Sequence, residues 1–263
     1  MEKLSVVIIT QNDAQNIERC LVSVTGIADE IVILDSFSDD QTVSIAENFG
    51  ARVIQESVTG EIRQKNRAIE LASHLLILSL DPKEEIDATL RTAIQNCKEK
   101  YAYSGYRINR CTHYIDQFIR HGGWYPDRSV RLFEKQKAKW DGVDPHGKIA
   151  FPGPVAIQDL PGEILRYAYV TTEEHQKHNE HLSSIAASSG YSAGRRTNLF
   201  YLIFHPIWTF LHSYILRTGF FNYRYGFIIA WESARYTFMT HQKLLLLQKK
   251  KGSILFANND TRN

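Results

Sequence analysis

The sequence predicts an α/β fold: a mostly parallel, twisted sheet with helices on both faces, followed by amphipathic helices at the C-terminal end. The first hundred residues alternate between short, continuous apolar runs and segments with helical periodicity. Such runs are typical of strands buried on both faces, and helical crossovers between them make a parallel sheet. A chain of 263 residues is long enough for one sizeable domain with appended elements.

The first strand and helix follow directly from this pattern. Leu4–Ile9 is a continuous apolar run of strand length. Asn12 or Asp13 can cap the next helix, whose apolar residues recur at helical spacing from Ile17 to Val24. The pattern predicts a buried strand and an amphipathic helix packed on the sheet.

The alternation continues with a second strand, Glu30–Leu34, which ends at Asp35. Ser38 is a favoured N-cap residue and predicts a helix through Asn48, stopped by Gly50. Three further elements are predicted in order: a strand at 51–54, a helix at 61–73 and a strand at 75–80.

The second half is less regular. Strands are predicted at 103–109 and 129–133, among glycines and prolines that mark loops. Residues 172–190 predict a polar helix that carries His175, His178 and His181 at a spacing of three. Zinc helices more often space histidines by four, so a solvated face is expected there. Trp124 and Tyr125 leave two interpretations open, core packing or an aromatic face for a sugar ring.

Polar side chains follow three of the predicted strands. Thr10 and Asn12 come after the first strand, Asp35 after the second and Asp81 after the fourth. In open α/β sheets ligands bind at the carboxyl ends of the strands, where carboxylates can accept from a base or ribose or hold a cation on a phosphate. Helix capping is the alternative role for a single Asp. The chain has no GxGxxG after the first strand and no GxxxxGK[ST], which argues against dinucleotide oxidoreductases and P-loop NTPases.

Several stretches resemble one family. SVVIITQND, EIVILDSFSDDQTVSIAENFGARV, QKNRAIELA and LILSLDPKEEI resemble the nucleotide-sugar domain of family 2 inverting glycosyltransferases, which have the GT-A fold. YRINR and HGGWYPDRSVRLF, with a basic aromatic C-terminal segment, are similar to the bacterial lipopolysaccharide core β-glycosyltransferases of that family. The resemblance spans residues 4–240.

The resemblance implies a nucleotide-sugar site. Thr10, Asn12 and Asp35 would line the uridine pocket, with Asp35 accepting from the base. Lys65 and Asn66 would lie close to the sugar nucleotide. The implied partners are a UDP-sugar donor and a lipid-linked saccharide acceptor.

The metal-binding D-x-D motif of the family is altered here. Asp81 matches its first acid and would lie beside the diphosphate, but Lys83 replaces the second acid. A Mg²⁺ or Mn²⁺ ion is therefore left open, with Asp81 and Glu84 as its candidate ligands. Lys83 can instead neutralise the diphosphate itself.

The catalytic base is also altered. An inverting transfer needs a carboxylate that deprotonates the acceptor hydroxyl. The family places a Glu where this chain has Gly147, which leaves Asp127 or Asp144 as the base. Arg128, next to Asp127, is expected near the donor sugar and acceptor. These replacements keep a second hypothesis open, a non-catalytic paralogue that binds nucleotide or glycan. A nucleotidyltransferase is a weaker third, because no glycine-rich basic loop follows the first strand.

The charge is divided along the chain. The net charge is +2, yet residues 195–251 hold nine basic residues against Glu232 alone, so residues 1–194 carry a net negative charge. Basic, aromatic sequence with a long apolar run at 198–216 is typical of a helix in an anionic membrane interface. Packing on the first domain, dimerisation and a true membrane span are the alternatives. No recognition motif accompanies the lysines, so nucleic acid is not an expected partner.

These patterns predict the organisation and location of the protein. A glycosyltransferase domain is expected at 1–170, a helical membrane-associating extension at 171–250 and a polar tail at 251–263. Three cysteines without a CxxC motif and a strand-like start without a signal peptide indicate a cytoplasmic protein. We expect it to be peripheral on the inner face of the cytoplasmic membrane. The oligomeric state is not predicted.

Overall fold

A computed structural model of the chain describes residues 1–100, 102–143 and 147–260, with side chains up to residue 249. Eleven strands lie in this part of the chain: β1 (Leu4–Thr10), β2 (Glu30–Asp35), β3 (Arg52–Gln55), β4 (Leu76–Leu80), β5 (Glu84–Ile86), β6 (Gly105–Tyr114), β7 (Gln117–Ile119), β8 (Asp127–Glu134), β9 (Lys139–Asp141), β10 (Lys148–Ala150) and β11 (Ile157–Tyr169). The same part contains seven α-helices: α1 (Ala14–Val24), α2 (Thr42–Asn48), α3 (Glu61–Leu71), α4 (Ala88–Glu99), α5 (Thr172–Ser192), α6 (Leu199–Leu211) and α7 (Tyr223–Asp260).

The main sheet has the strand order β3-β2-β1-β4-β8-β6-β11-β5. Strands β1 to β4 are parallel, whereas β8 runs antiparallel to both β4 and β6. The predicted α/β class is confirmed, with an antiparallel half that begins at β8. The register pairs Thr10 with Asp35 and Ile8 with Leu80, so the carboxyl ends of β1, β2 and β4 meet at one edge as predicted.

The α1 helix buries the face that its periodicity predicts. Ile17, Cys20, Leu21 and Val24 are each 0% exposed and join the apolar residues of β1 and β4 in one core cluster. Full burial of such side chains contributes about 1.5–3 kcal/mol each. This packing fixes the start of α1 just beyond the end of β1.

The predicted N-cap of α2 at Ser38 is wrong by three residues, because Gln41 is the N-cap and the helix begins at Thr42. Ser38 does not cap it, since its backbone N–H and hydroxyl both donate to Asp35. The carboxylate of Asp40 accepts from the Thr42 N–H at 2.9 Å. The residues between β2 and α2 therefore form a loop at the ligand edge of the sheet, where the carboxyl ends of β1, β2 and β4 meet.

The α4 helix and the long strand β11 lack a clear sequence pattern. Asp87 caps α4 by accepting from the Leu90 N–H at 2.7 Å, and it also accepts from the Glu163 N–H at 3.0 Å. Gly162 has φ +89°, and a Cβ there would lie 2.2 Å from the Leu90 nitrogen. Only glycine allows β11 to approach the N-terminus of α4 this closely.

The described residues form two compact units. The first comprises Met1–His113, Pro126–Gly142 and 147–168, and the second comprises Tyr114–Tyr125, Val143 and the chain from Tyr169 onward. The second unit thus takes in a segment that precedes residue 126. The predicted boundaries at 170 and 250 stay predictions.

Aromatic side chains form the core of the second unit. Tyr114 packs edge-on against Trp124 with ring centroids 5.6 Å apart, and His175 stacks on Tyr169 at 4.4 Å. Trp124 therefore serves in core packing. The expected solvated face is wrong for His175, which is 2% exposed and lies 3.1 Å from the Tyr114 hydroxyl.

The α6 helix and the π-helical turn after it, His212–Leu216, bury little of their apolar surface. Leu199–Leu216 is long and apolar enough to cross a membrane, by length and composition alone, and 6% of this segment is buried. Its exposed side chains include Phe200, Ile203, Phe204 and Trp208, each at least 54% exposed. Most of the apolar surface of this segment is therefore open to solvent.

Candidate nucleotide-sugar site

Hydrogen bonds join the loops that follow β1 and β2. The Asn12 N–H donates to the Ser38 hydroxyl at 2.8 Å, and the Asp39 N–H donates to Asn12 Oδ1 at 2.9 Å. Asn12 has φ +57°, a left-handed conformation that Asn tolerates better than most residues. The two loops therefore hold each other in place at the ligand edge.

Asp35 lies at the centre of this edge and is 0% exposed. Its carboxylate accepts four hydrogen bonds, from the Thr10 hydroxyl at 2.8 Å, the Ser38 N–H at 2.8 Å, the Ser38 hydroxyl at 2.5 Å and Gln55 Nε2 at 3.1 Å. Burial raises the pKa of Asp35, but these donors outweigh it and the pKa is lowered. A carboxylate has about four acceptor sites, so a ligand donor would share one or displace Gln55, the most distant partner.

Asp81, at the end of β4, lies between two cations. Lys65 Nζ is 2.9 Å from Asp81 Oδ1, and the Arg131 guanidinium is 3.7 Å from Oδ2. Burial raises the pKa of Asp81, but Lys65 and Arg131 outweigh it and hold the pKa far below its usual range. Lys65 is 6% exposed and also pairs with Glu61 at 2.7 Å. Asp81 is thus charged and neutralised by the protein.

Glu84 is enclosed by the same network. Its carboxylate accepts from the Asp81 N–H at 3.0 Å, from Arg110 at 3.2 Å and from Arg131 at 3.1 Å. Arg110 in turn donates to Asp127 through Nε at 2.8 Å. The charged cluster therefore consists of three basic and three acidic side chains in mutual contact: Lys65, Arg110, Arg131, Asp81, Glu84 and Asp127.

The two candidate metal ligands, Asp81 and Glu84, are bonded to basic side chains in this structure. Both oxygens of Asp81 face basic side chains, and Glu84 is 1% exposed with its oxygens already bonded. Within the described residues no three His, Cys, Asp or Glu side chains lie together as metal ligands. Lys65 and Arg131 bring positive charge to these carboxylates, and Asp81, Glu84 and Glu61 balance it.

Asn66 and Trp140 form one side of the charged cluster. Asn66 Nδ2 donates to the Trp140 carbonyl at 2.9 Å, and its Oδ1 accepts from the Trp140 N–H at 2.8 Å. The Trp140 ring lies under both Lys65 Nζ, at 4.4 Å from its centroid, and Arg131, at 5.4 Å. Asn66 thus holds Trp140 in place through both ends of its amide, and Trp140 supports the two cations.

The β8 strand places Asp127 and Arg128 on opposite faces, because side chains alternate along a strand. Asp127 joins the charged cluster through Arg110, whereas Arg128 is exposed and lies 3.7 Å from Asp159. Lys83 is close enough to Asp13 to oppose the rise in the pKa of Asp13 that burial causes. Asp144 lies outside the described residues.

Sequence reasoning assigned no role to Arg110, Arg131 or Trp140. Arg131 lies in the RLF part of the HGGWYPDRSVRLF stretch, four positions after Asp127 in β8. The register of β8 against β6 shifts between Val130 and Leu132, so the alternation of side chains along a strand did not locate Arg131.

The mixed α/β sheet is that of the GT-A fold, and the class of protein follows from its sequence family. The chain belongs to the family described as glycosyl transferase family 2, which its sequence matches over residues 5–150.

Similar proteins carry related descriptions. An uncharacterized glycosyltransferase of Rickettsia felis is 29% identical over 277 residues, which cover 98% of this chain and 93% of the relative. The lipopolysaccharide core biosynthesis glycosyltransferase LpsC of Rhizobium meliloti is 27% identical, with coverage of 92% and 91%. A crystal structure of S. aureus TarS 1–349 in complex with UDP-GlcNAc aligns with a TM-score of 0.48 at 17% identity, covering 88% of this chain and 90% of TarS 1–349.

Proposed function

We propose that the protein transfers a hexose, with inversion, from a UDP-sugar to a lipid-linked glycan acceptor such as lipopolysaccharide core. It would act at the inner face of the cytoplasmic membrane. The observation that carries this proposal is the edge of the sheet where Thr10 and Asp35 adjoin the charged cluster around Asp81. The name of the LpsC relative supports the class of acceptor.

Uridine would bind beside Asp35 in this proposal. The Asp35 carboxylate is kept ionised by its four donors and can accept from the uracil N–H once Gln55 moves away. Asn12 would support the nucleoside from the neighbouring loop, because its backbone is already tied to Ser38. The loops that would contact uridine are already joined by hydrogen bonds, which reduces the ordering that binding requires.

The departing diphosphate needs positive charge in the transition state. Lys65 and Arg131 supply it in this proposal, since both point at Asp81 where the diphosphate would lie. Trp140 keeps both cations in position from below. Lys83, in the altered D-x-D motif, adds a further cation near this edge.

Asp127 is the described carboxylate best suited to act as base. Its side chain is 36% exposed, so an acceptor hydroxyl can reach it. The hydroxyl oxygen attacks C1 of the hexose, the C1–O bond to UDP breaks, and Asp127 takes the hydroxyl proton. Arg110 orients Asp127 through two nitrogens.

The second unit would hold the protein at the membrane. Its α6 helix exposes large apolar side chains and contains no Asp, Glu, Lys or Arg, while the surrounding sequence is strongly basic. Such a surface binds an anionic bilayer through apolar burial and electrostatic attraction. This location brings the site to acceptors anchored in the same bilayer.

The test is a transfer assay with radiolabelled UDP-hexoses and a lipid-linked core saccharide in anionic liposomes. Wild type should transfer label, whereas Asp127→Asn should lose at least about a hundredfold in rate, the lower range for a general base. Glu70→Gln is the matched control, because Glu70 is 67% exposed and outside the cluster. Equal rates for Asp127→Asn and the control would remove Asp127 from the reaction.

A wild-type chain that binds UDP but neither transfers nor hydrolyses any UDP-hexose would contradict the proposed activity. It would support the non-catalytic paralogue, which Lys83 and Gly147 motivate. In that case Lys83→Asp combined with Gly147→Glu should create activity. Liposome flotation tests the membrane part separately: the protein should float with phosphatidylglycerol at low salt and dissociate at high salt.

A further inference from the structure

We propose that a groove between α6 and α7 binds one acyl chain of an anionic membrane phospholipid, with Arg235 contacting the lipid phosphate. The inference rests on the membrane location proposed above and adds a specific lipid site to it. The groove has a volume of 520 Å³, within the range of about 300–1,000 Å³ found for small-molecule sites.

The groove is built from two packed helices of the second unit. Its lining residues are apolar apart from Arg235. Two small residues, Pro206 from α6 and Ala234 from α7, are buried there. Bulky side chains beside them remain open to solvent, with Ile203 55% exposed and Trp231 58% exposed. Small residues next to large ones create an elongated apolar space that the protein leaves unfilled.

The chemistry of the walls favours an acyl chain. Apart from the carbonyl that Pro206 leaves without a helical donor, the backbone groups of α6 and α7 are hydrogen-bonded within each helix, so the walls offer few partners to the polar backbone of a peptide. An acyl chain has no polar groups to satisfy. The groove is also continuous with the exposed apolar face of α6, where Phe204 is 54% exposed and Trp208 57% exposed.

Arg235 provides charge complementarity to an anionic headgroup. Its guanidinium lies 3.5 Å from Glu232 Oε2, and its side chain is 39% exposed. Glu232 is 2% exposed and accepts from Gln176 at 3.1 Å on its other oxygen. A single long ion pair leaves most of the five N–H donors of Arg235 for a phosphate. The Lys and Arg excess of residues 195–251 favours the anionic lipid further.

The test is calorimetry with lauroyl lysophosphatidylglycerol below its critical micelle concentration. Wild type should bind one molecule per chain. Ile203→Trp, which fills the groove from its open side, should weaken binding by about tenfold or more. Phe204→Trp is the matched control on the neighbouring residue outside the groove and should leave the affinity unchanged.

Two further measurements locate the acyl chain and the headgroup of the bound lipid. Bromine on the acyl chain should quench the fluorescence of Trp231, and Trp231→Phe should lose that quenching. Lauroyl lysophosphatidylcholine should bind about fivefold more weakly than the phosphatidylglycerol form, a preference that Arg235→Gln removes.

If the wild-type protein floats with anionic liposomes but does not bind one lysolipid per chain, the proposed acyl-chain site is wrong. The proposed membrane location then still stands. Equal affinity of Ile203→Trp and Phe204→Trp also overturns it. A dimer in solution that Ile203→Trp dissociates, without stoichiometric lipid binding, would assign the groove to a second copy instead. If the protein does not float with anionic liposomes, the proposed membrane location is wrong. The lysolipid titration still tests whether the groove binds an acyl chain.

Discussion

Replacing Glu84 by Gln tests whether the charged cluster is a structural unit. Glu84 is 1% exposed and accepts from two arginines and the Asp81 N–H. Removing one partner of a buried ion pair costs about 3–5 kcal/mol, because the remaining charge is left without compensation. Arg110 retains Asp127 and Arg131 retains Asp81, so we expect the lower end, about 3 kcal/mol.

The assay is equilibrium unfolding in urea, followed by circular dichroism, with Glu85→Gln as control. Glu85 is the next residue and accepts one hydrogen bond, from the Tyr167 hydroxyl at 2.8 Å, so its loss should cost about 1 kcal/mol. A loss below about 1 kcal/mol for Glu84→Gln would show that the charged cluster does not depend on the Glu84 charge. An effect seen only in the presence of Mn²⁺ would instead identify Glu84 as a metal ligand.

Three further changes test other parts of the account. Burial raises the pKa of Glu30, but hydrogen bonds from Ser5 and Ser73 lower it from 4.5 to about 2. Its stabilisation should therefore be complete above pH 4.5 and lost toward pH 2, and acid unfolding of Glu30→Gln should lose this dependence. Burial, with the charge of His178, lowers the pKa of His175 from 6.5 to about 4. The free energy of unfolding should therefore fall as the pH drops from 6.5 to 4, and His175→Gln should reduce this pH dependence in urea unfolding. Lys65→Met should weaken UDP binding by about tenfold or more in calorimetry, the loss of one charge-assisted hydrogen bond, and unchanged affinity would remove Lys65 from the site.

The site edge was predictable because its signals are local. Apolar runs end at Thr10, Asp35 and Asp81, and parallel pairing brings such ends together. The ion pairs of Arg110 and Arg131 were not, because they depend on β8 pairing antiparallel to β4 and β6. Local patterns contain no information about such distant partners.

Tertiary contacts explain three features that the local sequence pattern did not predict: the start of α2, the strand β11 and the burial of His175. Ser38 resembles a helix cap, yet Asp35 and the Asn12 N–H take its hydroxyl, and only the tertiary structure brings Asn12 near. Pro161 and Gly162 interrupt the pattern of β11, although Gly162 is the residue that allows its contact with α4. His175 sits in a polar sequence but faces Tyr114 and Tyr169, which are distant along the chain.

Calorimetric titration of wild-type protein with UDP, once in EDTA and once in Mn²⁺, would show whether the nucleotide-sugar site works without a metal ion. We expect one UDP bound per chain in EDTA, with little change in Mn²⁺, because Lys65 and Arg131 contribute positive charge beside the diphosphate. Binding that requires Mn²⁺ would contradict the role of these cations. No binding under either condition would contradict the nucleotide-sugar site itself.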